Sequence, residues 1–328
     1  MLRGTANLSE NLTGSAMTTT FDSGFNDWTP NRLPDLSGKR FLITGANAGL
    51  GFETTKMLRH KNADVLMAAR NEGRGRGAVS NISAEPGSGS VNFVKLDLAD
   101  TSSIRAAAES VRAMTDGLDA IVNNAGIMQT PQQKTTDGFE MQFGTNHLGH
   151  FLLNHLLFDL VEARSGRIVP VASIAAKSPA KFNFSDLMHS QNYSATMVYG
   201  QSKLANLTYG LELQRRLTAA GSSVSSISCH PGYAATNLQS TGPTGIWKNV
   251  YKVTNKLMAQ PAERGAQPLA LAAAGSEARP GGYYGPVDLG GARGKISDAD
   301  IPANATADDA GPRLWEASEN YLDISWTI

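Results

Sequence analysis

From Lys39 onward the chain alternates short apolar runs with longer amphipathic ones, and this alternation restricts the fold more than any other feature. The short runs are Arg40–Thr44, Asp64–Ala69, Val91–Leu96, Leu118–Val122, Arg167–Val171 and Ser223–His230. Between them, helices are predicted over Leu50–His60, Gly77–Ala84, Ser102–Thr115, Phe139–Arg164 and Met197–Ala220, with Ser102 and Ser103 as caps of the third. The short runs are mostly apolar along their length, as strands buried on both faces must be. Strands separated by helices in this way imply an α/β fold: one Rossmann-type, doubly wound parallel sheet with helices on both faces. No repeat or linker divides the chain, so a single domain is predicted over residues 31–328. Residues 1–30 are polar and read as a flexible arm. Met17 is a second candidate start, with the residues before it a leader or an upstream extension.

The charge balance narrows the function classes. Lys plus Arg equal Asp plus Glu at 29 each, so nothing points to nucleic acid as a partner. Cys229 is the single cysteine, which excludes an internal disulfide and suits a cytoplasmic setting; its apolar surroundings predict a buried structural thiol. Phe151–Phe158 is the most apolar stretch, but Asn154 and His155 interrupt it and it falls far short of the ~20 residues a membrane span needs. The first 16 residues lack the apolar core of a signal peptide. No membrane partner is therefore expected.

Three local patterns carry chemistry. The first is Thr44-Gly45-Ala46-Asn47-Ala48-Gly49-Leu50-Gly51, between the first strand and the first helix. Glycines there let a phosphate approach the backbone, and the helix start offers unpaired N–H groups to it. The second is Arg70-Asn71 at the end of the second strand. An acid at that place usually meets a free ribose 2′-hydroxyl, whereas a guanidinium suits a 2′-phosphate. Met67–Arg70 contains no acid, so NADP(H) is favoured over NAD(H). The third is Tyr199 and Lys203, four residues apart on one helix face. An ammonium beside a phenol favours the phenolate, and a tyrosine tuned in this way exchanges protons near neutral pH.

Taken together with Asn123-Asn124-Ala125-Gly126, Ser173 and Pro231-Gly232, these motifs resemble the short-chain dehydrogenase/reductase family in order and region. The runs Thr145–Phe151, Tyr199–Asn206, His230–Gly232 and Leu314–Glu319 resemble its retinol-dehydrogenase-like branch. The resemblance spans about Leu36 to Trp315. It implies Tyr199 as general acid in reduction and base in oxidation, with Lys203 holding the nicotinamide ribose and lowering the tyrosine pKa. It implies Ser173 as a donor to the substrate oxygen and Asn146 as the holder of a proton-relay water. Asp97 and Leu98 would meet the adenine, and Asn124, Ala125 and Gly126 the adenosine ribose. Pro231, Gly232 and Thr236 would position the nicotinamide amide, and Asn47 would join Arg70 and Asn71 at the 2′-phosphate.

The chain departs from the family pattern in places. Ala172-Ser173 stands where many relatives have Ser-Ser, which leaves Ser173 with the catalytic role. Pro170 replaces an Asn in a central strand, and a bulge or an unpaired carbonyl is expected there. Ser173 and Tyr199 are 26 positions apart, a long spacing that fits the retinol-dehydrogenase-like branch. Tyr193 has Met197 rather than a lysine four residues on and reads as a pocket or surface aromatic.

Rival readings are weaker on the residues. His147, His150 and His155 could suggest a metal cluster, but no Cys or acid at a ligand spacing joins His147 and His150, which lie one turn apart, and this argues packing rather than metal. Ser173 lacks the Gly-x-Ser-x-Gly elbow of a hydrolase, and the glycine turn is not the Gly-x-x-Gly-x-x-Gly of sugar-nucleotide epimerases. A cofactor-binding scaffold or redox-sensing regulator would not need the set Ser173, Tyr199, Lys203 and Asn146. Residues 237–260 carry an apolar helical face and are expected to form a lid over a hydrophobic ketone, aldehyde or alcohol. By resemblance, a homodimer or homotetramer is expected through the two long helices.

Overall fold

The computed structural model describes residues 21–177, 180–234, 260–307 and 309–328. Six strands form a wholly parallel sheet in the order β3-β2-β1-β4-β5-β6. They are β1 (Arg40–Thr44), β2 (Asp64–Ala69), β3 (Val91–Lys95), β4 (Ala120–Asn123), β5 (Arg167–Pro170) and β6 (Ser225–Ser226). The doubly wound arrangement read from the alternation is therefore present. Side chains along each strand alternate between two cores: Leu42, Leu66, Ile121 and Ile168 enter one, Phe41, Ile43, Val65, Val122 and Val169 the other. Both cores are apolar, which is why the strands show no polar alternation.

Helices α1 (Gly49–Arg59) and α2 (Glu72–Ser83) share one face with α7 (Ala262–Ala274). The other face carries α3 (Thr101–Met114), α5 (Gly149–Glu162), α6 (Ala195–Ala219) and α8 (Ala310–Leu322). The helix expected over Phe139–Arg164 is compound. It starts as a single turn, α4 (Met141–Phe143), widens into a π-turn (Gly144–Leu148) and continues as α5.

Other elements also differ from expectation. Helix α2 starts five residues early, capped by Asn71, whose side chain accepts from the Arg74 amide. Three glycines hid it, and Gly75 is there because a Cβ would overlap the Phe93 ring. Helix α3 is capped by Asp100, which accepts from the Ser102 and Ser103 amides, rather than by those serines. The sixth strand divides into β6 and β7 (Ser228–Cys229), and β7 opens a second sheet in the order β7-β8-β9. Strands β8 (Tyr283–Asp288) and β9 (Arg293–Asp298) were not foreseen, because Pro286, glycines and charges blur their pattern. Pro170 closes β5 opposite Asn123 in regular register, so no bulge forms. Opposite it, buried Asn123 has no hydrogen-bond partner for either side-chain polar atom among the described residues.

Residues 21–30 correct the expectation of a flexible arm. Trp28 is fully buried, its amide donates to the Ile296 carbonyl, and Ser23 Oγ bonds Asp298 and Tyr284. The outward faces of α5 and α6 are covered by α8 and the tail after it. Trp315 stacks on Tyr209, Trp326 packs edge-on against Phe151, and the Arg216 guanidinium lies 4.3 Å from the Trp315 ring centre. The helix faces expected to pair with a second copy are thus occupied within the chain.

The two glycines of α2 give a test. Gly75→Ala is expected to destabilise the protein by about 1–3 kcal/mol through overpacking against Phe93. Gly77→Ala faces open space and should stabilise by up to ~1 kcal/mol. Calorimetric melting of the two variants checks the contrast.

Candidate active site

The carboxyl ends of β1 and β4 are pressed together. Gly45 and Gly49 adopt left-handed φ values of 66° and 57°. A Cβ on Gly51 would stand 2.6 Å from Asn124 Nδ2, and one on Gly45 2.9 Å from the Ala125 Cα. Polar bonds close the junction: Asn124 Nδ2 donates to the Thr44 carbonyl (2.7 Å) and the Ala125 amide to Thr44 Oγ1 (2.9 Å). Helix α1 begins after Ala48 with no side-chain cap, which leaves its first amides for a ligand.

A cleft of about 310 Å³ opens beside this turn. Gly45, Asn47, Gly49, Leu50, Arg70, Asn71, Asp97, Leu98, Asn124, Ala125 and Gly126 line it. Arg74 lines it too, a second guanidinium brought there because α2 begins at Glu72 rather than at the Gly77 expected from the sequence. The Arg70 side chain is 68% exposed, with Nε 4.0 Å from Asp97 Oδ2. A glycine cradle with no room for a Cβ and uncapped helix amides fit the pyrophosphate of a dinucleotide, with two guanidiniums at one end of the cleft.

A second cleft of about 460 Å³ shares Leu50, Asn124 and Gly126 with the first. Ser173, Tyr199, Lys203, Pro231 and Gly232 all line it. The rest of its wall is largely apolar, with Met128, Ile174, Ala175, Ala180 and Met197. Ser173 caps a short 3-10 turn, its Oγ accepting from the Ala175 amide at 3.2 Å. A hydroxyl that accepts there keeps its own proton for a ligand. Lys203 is 4% exposed; its Nζ donates to the Val171 carbonyl at 3.0 Å, which also receives Asn206 Nδ2 at 3.1 Å. Burial pulls the Lys203 pKa down from 10.5 to about 8.

Asn146 lies behind the cleft wall. Its Oδ1 accepts from the Ile127 amide (2.8 Å) and its Nδ2 donates to the Ile127 carbonyl and Ser202 Oγ (both 2.9 Å). Its side chain therefore braces the segment after β4, close behind Gly126 of the cleft wall. His147 and His150 have separate partners, Ser318 Oγ for the first and Thr44 Oγ1 for the second. Tyr193 anchors the same segment, donating to the Thr130 carbonyl at 2.9 Å. Thr236 and the expected lid up to residue 259 lie outside the described residues.

Comparison with known proteins agrees with this geometry. A family model described as short chain dehydrogenase matches residues 39–245. Mouse retinol dehydrogenase 12 is 46% identical over 198 residues, 60% of this chain and 62% of that protein. Less than two thirds of that relative's length is thus matched. Human retinol dehydrogenase 13 is 35% identical over 88% of this chain and 86% of its own. A crystal structure of an uncharacterized Mycobacterium paratuberculosis protein superposes with a TM-score of 0.77 at 36% identity, over 92% of this chain and all of that one. The chain belongs to the short-chain dehydrogenase family of nicotinamide-dependent oxidoreductases, in its retinol-dehydrogenase-like branch.

The buried ammonium yields a prediction with a definite sign. Between pH 8 and 10.5 the unfolded chain binds a proton at Lys203 that the folded chain has lost, so stability rises with pH across that window. Below pH 8 the full cost of burying the charge is present, roughly 3 kcal/mol. Lys203→Met is expected to raise the melting temperature at pH 7 and flatten that rise, because Asn206 still satisfies the Val171 carbonyl. A melting temperature below wild type at pH 7 would contradict this.

Proposed function

We propose that this short-chain dehydrogenase transfers a hydride between NADP(H) and a hydrophobic ketone or aldehyde, or the corresponding alcohol. One observation carries the reading: Ser173, Tyr199 and Lys203 line a single, mostly apolar cleft that shares Leu50, Asn124 and Gly126 with the glycine-turn cleft. In this reading Tyr199 gives its phenolic proton to the carbonyl oxygen during reduction and takes one back during oxidation. Ser173 donates to the same oxygen and fixes its direction. Lys203, held at one N–H by the Val171 carbonyl, presents the others toward the cofactor ribose and lowers the cost of a tyrosinate by its charge. NADP(H), when bound, supplies or accepts the hydride.

Residues of the first cleft would hold the cofactor. The Gly45–Gly51 turn and the α1 amides would take the pyrophosphate. Asp97 and Leu98 would flank the adenine, and Asn124, Ala125 and Gly126 the adenosine ribose. Arg70 and Arg74, with Asn47 and Asn71, would receive the 2′-phosphate; two guanidiniums with no acid at the end of β2 support NADP(H) over NAD(H). Pro231 and Gly232 would direct the nicotinamide. The apolar wall, and relatives named for retinol, support a hydrophobic substrate. Among the described residues no helix is long and apolar enough to cross a membrane. We place the enzyme in the cytoplasm. We assign contacts between copies, as a homodimer or homotetramer, to faces other than those of α5 and α6 covered by α8.

The test is NADPH consumption against a panel of hydrophobic ketones and aldehydes, with NADH in parallel. Tyr199→Phe is expected to bind NADPH normally and lose at least about a hundredfold in kcat. The double change Arg70→Ala and Arg74→Ala should weaken NADPH binding by about tenfold or more and leave NADH within a few-fold. Turnover by Tyr199→Phe equal to wild type would defeat the assignment. NADPH binding without turnover of any carbonyl or alcohol would favour a cofactor-binding regulator.

A further inference from the structure

His150 lies on α5, outside both clefts, and is 3% exposed. Its Nδ1 is 2.9 Å from the Asn146 carbonyl and its Nε2 is 2.8 Å from Thr44 Oγ1. A carbonyl only accepts, so Nδ1 carries a proton. Burial holds the ring neutral, with a pKa of about 4, so Nε2 keeps its lone pair. Thr44 must then donate its hydroxyl proton to Nε2; the alternative acceptor, the Val122 carbonyl, is longer at 3.3 Å. With its proton directed at the ring, Thr44 Oγ1 turns a lone pair to the Ala125 amide at 2.9 Å.

The same imidazole therefore reaches both clamps on the segment leaving β4. Thr44 holds that segment at Ala125, and Asn146 holds it at Ile127 through both backbone groups. Asn124, Ala125 and Gly126 between them line the nucleotide cleft. We propose that His150 is a positioning residue for the cofactor: by fixing the Thr44 hydroxyl and the Asn146 carbonyl from behind the sheet, it sets the cleft wall against which the dinucleotide lies. The inference rests on the proposed NADP(H) site.

The test is the dissociation constant of NADPH, read from its fluorescence on binding, for wild type and substituted full-length protein. His150→Gln keeps an acceptor near the place of Nε2 and is expected to bind within about twofold of wild type. His150→Asn keeps only a donor near Nδ1 and should bind about five- to tenfold more weakly, as the loss of one buried hydrogen bond implies. Thr44→Val should weaken binding by a similar factor. The pair Thr44→Val with His150→Asn should be no worse than either alone, since both break the same link. At saturating NADPH, kcat should change less than threefold in all of them. Equal NADPH affinity in His150→Gln and His150→Asn, or factors that multiply in the double variant, would overturn the inference. A purely structural role would lower the melting temperature of both alike without separating their affinities. If wild type itself fails to bind NADPH, the proposed cofactor site is what fails.

Discussion

Everything in the site depends on the contact between the ends of β1 and β4. These strands are neighbours in the sheet, yet the chain beyond β1 turns into α1 on one face while the chain beyond β4 runs to α5 on the other. The divergence opens a crevice at the carboxyl edge of the sheet, the place where doubly wound folds take ligands. The crevice is useful only if its floor is narrow. Gly45 and Gly51 make it so by leaving no Cβ between the turn and Asn124-Ala125. A side chain at either glycine would wedge the strand exits apart and undo the wall that both clefts share.

The chemistry at the other end is set by a buried cation. Burying an ammonium is costly, and the structure tolerates Lys203 by giving its Nζ a backbone carbonyl that a second donor also holds in place. The π-turn works in the same sense. It carries Asn146, whose side chain is committed to Ile127 and Ser202, while Ser202 Oγ in turn donates to the Tyr199 carbonyl. Tyr199 and the segment after β4 are therefore braced by one set of hydrogen bonds through Asn146 and Ser202, and Lys203 by a second at the Val171 carbonyl. Stability is given up at Lys203 and the site's geometry is secured around it.

How much of this was legible in the sequence varies with the physics of each part. The parallel sheet was readable because strands with two apolar faces leave an unmistakable pattern, and Leu42 beside Phe41 and Ile43 illustrates it. The cleft residues were readable because glycines at a turn and a Tyr–Lys pair at one helical turn are local signals. Long-range effects were not. Trp28 is buried by β9, distant in sequence, so its polar surroundings in the chain suggested an arm. Strands β8 and β9 are held by pairing, not by their own composition. Arg74 was missed because Gly73, Gly75 and Gly77 argued against a helix that Phe93 requires to be smooth. Asn146 was found, but its role depended on which backbone groups stood opposite it.

Cys229 has a consequence outside the chemistry of the site. It is the chain's single thiol, it is fully buried, and it sits where β7 bridges Val171, just past β5, on one side and pairs with β8 on the other. Burial pushes its pKa up, so the thiolate that alkylating reagents need is suppressed in the native sheet. Labelling can then proceed only through states in which that seam has opened, and its rate becomes a clock for local unfolding in the middle of the structure. The molecule thus contains its own one-site reporter of how often the two sheets part.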